Sequence, residues 1–106
     1  DVWFVNKEFF LGHDEPQYKV HGTFLMTNGL WCHAKNIEAF YLMSLDNRIH
    51  CLSHDQDEVA LTSRGYFWSS YGKHMTSKSI CVMPPNSQEL PKKIAGVCSD
   101  YVESYK

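Results

Sequence analysis

Four cysteines, Cys32, Cys51, Cys81 and Cys98, constrain this 106-residue chain more than any other feature. Their number is even, the gaps between them are wide, and none stands in a C-x-x-C pair. A zinc ribbon or a thioredoxin-like redox site therefore does not fit, whereas two disulfides formed in an oxidising compartment do. Four cysteines allow three connectivities, and the sequence does not choose among them. A chain stapled in this way needs only a small core, which suits one domain over residues 1–106. The first residue, Asp1, matches a chain from which a secretory signal peptide has been removed, so the expected location is extracellular. Four buried free thiols in a cytosolic domain are the competing interpretation.

Hydrophobic patterning supplies the elements around those cysteines. In QYKVHGTFLMTNGLWCHAK, Tyr18, Val20, Phe24 and Met26 alternate with Lys19, His21, Thr23 and Thr27, the pattern of a half-buried strand. Asn28-Gly29 follows, then Leu30, Cys32 and Ala34 alternate with Trp31, His33 and Lys35, which predicts a hairpin. Over residues 37–45 two patterns compete. Ile37, Phe40, Tyr41 and Leu45 fit one helical face, but Tyr41, Met43 and Leu45 keep period two up to Asp46-Asn47 and favour strands and a second hairpin. GYFWSSY and SICVMPP have strand composition, the second stopped by Pro84-Pro85. The period then changes to three and four through Leu90, Ile94, Val97, Cys98, Tyr101, Val102 and Tyr105, with Ser87 as a cap. The expected class is α+β: a small antiparallel sheet of hairpins with a C-terminal amphipathic helix, stapled by disulfides.

The densest cluster of chemistry-bearing residues is IHCLSHDQDE, residues 49–58. Two histidines four apart share a metal on a helix, but on a strand they stand about 13 Å apart, at roughly 3.3 Å per residue. His50 belongs to a strand ending near Ser53, no H-E-x-x-H pattern is present, and the acids lack the glycine and oxygen spacing of an EF-hand. The stretch reads as a solvated acidic turn, and no metal or cofactor is expected. His21 and His33, on the two arms of the first expected hairpin with Lys19 and Lys35 nearby, are the pair a small nuclease could use as acid and base. No nucleophile elbow and no phosphate-binding glycine loop accompany them, so no catalytic residue is assigned.

The strongest binding candidate is RGYFWSSYGKH, residues 64–74, where four aromatics fall within six positions. Arg64, Tyr66, Trp68, Tyr71 and Lys73 are the residue types that dominate protein-binding hot spots. A core strand covered on both faces is the alternative for the same segment. The net charge of −2 gives no basic footprint for nucleic acid, and no apolar run approaches the roughly 20 residues of a membrane helix. Neither nucleic acid nor membrane is an expected partner.

From DVWFVNKEFF through GTFLMTNGLWCHAKNIEAFYLMSLDNRIHC, the chain resembles the small salivary proteins of blood-feeding sand flies, a family that includes an anticomplement factor. The resemblance rests on overall sequence and carries no motif from which a functional position could be transferred. It implies a secreted, non-enzymatic inhibitor of the classical complement pathway, whose partner is a host serum protein, an early classical-pathway component. Two other functions remain open: a small secreted hydrolase such as a nuclease using a histidine pair, and a carrier holding a small ligand in an aromatic pocket.

Overall fold

The computed structural model describes residues 1–85, 90–91 and 93–101. They fall into two compact units, Asp1–Asp55 and Gln56–Lys106.

The first unit begins with a tight hairpin, β1 (Val2–Val5) and β2 (Glu8–Leu11). Asn6 and Lys7 join them with φ of 52° and 65°, the paired left-handed conformation of a type I′ turn. β3 (Tyr18–Val20) adds to β2 in antiparallel register. A 3-10 helix, Gly22–Met26, then carries the chain to β4 (Trp31–Ala34), which lies parallel to β1. α1 (Ile37–Ser44) crosses from β4 to β5 (His50–Ser53), and β4 and β5 are parallel, as a strand–helix–strand crossover requires. The sheet order is β3-β2-β1-β4-β5. Val2, Cys32, Ala34 and Cys51 from the strands pack with Leu25 of the 3-10 helix and with Ala39 and Met43 of α1. Each of these side chains is at most 6% exposed, so this is the unit's core.

The second unit is a four-stranded sheet in the order β6-β7-β8-β9. β6 (Val59–Leu61) and β7 (Phe67–Ser70) form an antiparallel hairpin. β8 (Ser79–Val82) lies parallel to β7, and β9 (Gly96–Cys98) parallel to β8. Its buried described residues are few and partly polar: Ile80, Cys81 and Pro84 with Thr62, Ser69 and Ser79.

Five expectations are corrected by this architecture. The class is mainly β, two mixed sheets with α1 as the α-helix among the described residues, rather than a sheet of antiparallel hairpins. The Asn28-Gly29 hairpin does not form. A type I′ turn needs positive φ at both positions, and only Gly29 adopts it, at +84°; Leu30 N–H donates to the Thr27 carbonyl across a simple reversal. β3 and β4, the intended arms, pair instead with β2 and with β1 and β5.

Residues 37–44 are helical, not extended. The Asn36 side chain accepts from Ala39 N–H at the helix start, and Asp46 ends a turn rather than opening a hairpin. The C-terminal amphipathic helix is absent over the described residues. Lys93 sits at φ 59°, Gly96 weakens any helix there, and Gly96–Cys98 pairs with β8 as a strand. Ser87, Val102 and Tyr105 of that expected helix lie outside the described residues.

The disulfide staples are also absent: all four cysteines are free thiols. Cys32 and Cys51 stand side by side on parallel strands, where neighbours are roughly 4.8 Å apart and point the same way. Their side chains run alongside rather than toward one another, and both thiols stay unbridged in the core. Cys81 is level with Val97 and Cys98 with Val82, so the second pair projects from opposite faces of its sheet.

Candidate functional site

The β6–β7 hairpin positions the residues singled out for partner binding. Its tip is a tight turn in which Thr62 Oγ1 accepts from the N–H groups of Arg64 and Tyr66, at 3.4 and 3.2 Å. Thr62 N–H donates to the Tyr66 carbonyl and Gly65 N–H to the Thr62 carbonyl, while Gly65 takes the left-handed conformation at φ 82°. Arg64 is thereby held out at the tip, exposed. Tyr66 is half-buried at the start of the returning arm, with Lys78 Nζ 5.3 Å from its ring centre, a cation–π contact.

Trp68 stands on β7 between Ala60 and Ile80 and is half-buried. Tyr71 is half-buried just past the strand, and Lys73 is exposed, with its Nζ 2.9 Å from Glu58 Oε2. The hairpin and the turn after it therefore hold all five residues in one unit. The apolar surface that reaches water there is different. Val59, Leu61 and Phe67 are 44%, 62% and 37% exposed, and Leu61 lies directly opposite Phe67 in the register. Sequence reading singled out the aromatic run and passed over Val59 and Leu61. Their period-two spacing was the available signal, in a strand too short to stand out.

The histidines of the first unit are brought together in a pattern other than the expected one. His21 Nδ1 accepts from Thr23 N–H at 3.3 Å and so caps the 3-10 helix. His33 has separate partners. Its Nε2 donates to the His54 carbonyl at 2.9 Å, and its Nδ1 lies 3.3 Å from Asp1 Oδ1. The other Asp1 oxygen is 2.7 Å from His13 Nδ1, so one carboxylate faces two imidazoles.

Burial pushes the His33 imidazole below its ordinary range, with the His54 carbonyl pulling in the opposite direction. Because its Nε2 proton is committed to a carbonyl, His33 offers no free base on that side. His50 is buried against Trp31, ring centres 4.0 Å apart. Burial, reinforced by neighbouring Cys51, pushes the Cys32 thiol up to about 11, which keeps it protonated and unreactive near neutrality.

No group of three histidine, cysteine, aspartate or glutamate side chains among the described residues could hold a metal ion. No helix among them is long and apolar enough to cross a membrane. No protein-family model, curated protein or solved structure matches the chain.

Proposed function

We propose that this protein is a secreted, non-enzymatic inhibitor of host complement that blocks the classical pathway by binding an early component through protein–protein contact. The resemblance to the small salivary proteins of sand flies supplies the target. The observation that carries the binding mode is the β6–β7 hairpin, which holds Val59, Leu61 and Phe67 in solvent beside Arg64 and Tyr66. Such a surface combines an apolar centre with an aromatic and a basic rim, the composition of a protein-binding hot spot. β6 is also an edge strand, and its outer backbone groups suit pairing with an extended segment of a partner.

The test is pathway-resolved complement activation in human serum, read as deposition of early components on surfaces that trigger the classical, lectin or alternative route separately. Added protein should suppress the classical route selectively. Leu61→Lys and Phe67→Ala should each weaken inhibition by about thirtyfold, the scale of a hot-spot residue worth ~2 kcal/mol, while leaving the fold intact. Equal suppression by folded hairpin variants moves the binding surface elsewhere. Indifference of all three routes to the protein removes the complement reading.

A further inference from the structure

The first unit contains a cleft of about 360 Å³ that the hairpin surface does not involve. Buried Leu25 and the rings of Trp31, Tyr18 and Phe24 are among its lining residues. Tyr18 and Phe24 are 68% and 45% exposed, so two aromatic rings border a concavity rather than filling the core. The volume falls within the roughly 300–1,000 Å³ of small-molecule sites, at the lower end, enough for one or two fused rings. Asp1 and His13 are the ionisable acid–imidazole pair of the lining, 2.7 Å apart.

What the Asp1 carboxylate can accept defines the ligand's polar end. A carboxylate carries about four lone-pair positions and no donor. His13 Nδ1 lies 2.7 Å from one oxygen, and His33 Nδ1, whose ring carries its proton on Nε2, lies 3.3 Å from the other without donating to it, so both oxygens retain capacity for a further donor. His13 orients the carboxylate through one oxygen and leaves the other as an acceptor beside an aromatic cleft.

We propose that this cleft binds a small planar aromatic molecule bearing an N–H or O–H donor. Its ring system lies against Tyr18, Phe24 and Trp31, and its donor bonds to the Asp1 carboxylate. The site is independent of the complement-binding surface, so either can fail without the other. It would give the protein a second activity as a carrier of phenol- or arylamine-like compounds.

Titration of the full chain with 2-naphthol and with 2-methoxynaphthalene, followed by calorimetry and by saturation-transfer NMR, tests the proposal. The two probes share a ring system, and only the first has a donor. Naphthol should bind saturably and about tenfold tighter than its methyl ether, the factor for one net hydrogen bond. Asp1→Ala should abolish that preference, and Tyr18→Ala and Phe24→Ala should each weaken naphthol at least fivefold. Tyr41→Ala, an exposed ring on α1, should change nothing. Absence of naphthol binding overturns the site. Binding that the two cleft variants leave unchanged in folded protein overturns it equally, and equal affinity for both probes overturns the assigned role of Asp1.

Discussion

Gly12 is the residue at which the smallest change meets the least space. A Cβ built there would overlap the Glu15 carbonyl oxygen, and the obstruction is backbone, which no side-chain rotation relieves. The same residue receives the Trp3 indole N–H on its carbonyl at 2.8 Å and donates its own N–H to the Asp1 carbonyl at 3.2 Å. Any shift that admits a methyl group therefore strains the anchor of Trp3 and the end of the β1–β2 hairpin. Gly12→Ala should lower stability by about 1–3 kcal/mol, the range for overpacking a fitted site, seen as an earlier midpoint in urea with an unchanged slope. An unchanged midpoint would show that the loop from Gly12 to Gln17 relaxes freely. The chain has six glycines, and their letters do not reveal which is pressed against backbone. At Gly29, Gly65 and Gly72 an added Cβ meets nothing within 4 Å, and there positive φ is the reason for glycine.

Among the elements, α1 shows most clearly what patterning can and cannot reveal. Ile37, Tyr41 and Leu45 recur every fourth residue, a helical stripe that the sequence displays. That stripe faces water at 78%, 62% and 66% exposure, while Ala39 and Met43 face the core at 0%. The helical period was thus legible and its inward face was not, because the buried positions are few and one of them is alanine. Tyr41, Met43 and Leu45 also satisfy period two, and the deciding residue is Asn36, which lies outside both patterns.

Asn36 Oδ1 accepts from the N–H groups of Ala39 and Phe4, each at 3.1 Å, and Nδ2 donates to the Phe4 carbonyl at 2.9 Å. It caps the helix and ties it to β1 through one amide. Asn36→Ala should cost about 2–4 kcal/mol, from a lost cap of ~1 kcal/mol and two lost strand contacts of similar size. Asn36→Asp should fall between, since it keeps the acceptor and loses the donor. Thermal unfolding of the three proteins orders them; Asp equal to Ala would remove the capping role.

At the scale of the whole molecule, strand identity was more legible than strand partnership. Phe67–Ser70, Ser79–Val82 and His50–Ser53 stand where composition places them, but parallel pairing depends on which distant strand lies alongside, and period two is silent on that. The same limit applies to the cysteines. An even count at wide spacing suggested staples, yet parallel register puts Cys32 beside Cys51 as a packed pair and sends Cys81 and Cys98 to opposite faces.

Free thiols in both units give the molecule a common chemical signature. Alkylation in denaturant without reductant should modify four cysteines, whereas native protein at neutral pH should protect buried Cys32, Cys51 and Cys81. Fewer than four modified residues in denaturant would restore a covalent bridge. Burial also raises the Cys81 and Cys98 thiols, as it does Cys32. For Cys32, the unfolded chain begins to release its proton near the ordinary value of 9.0, and the folded chain holds it until about 11. This contribution to stability is therefore complete below pH 9 and is lost as pH rises through that interval. Urea midpoints measured from pH 8 to 11 should fall, and Cys32→Ala, compared with its own value at pH 8, should fall less steeply. Parallel slopes for the two proteins would show that Cys32 does not govern the alkaline limit of this fold.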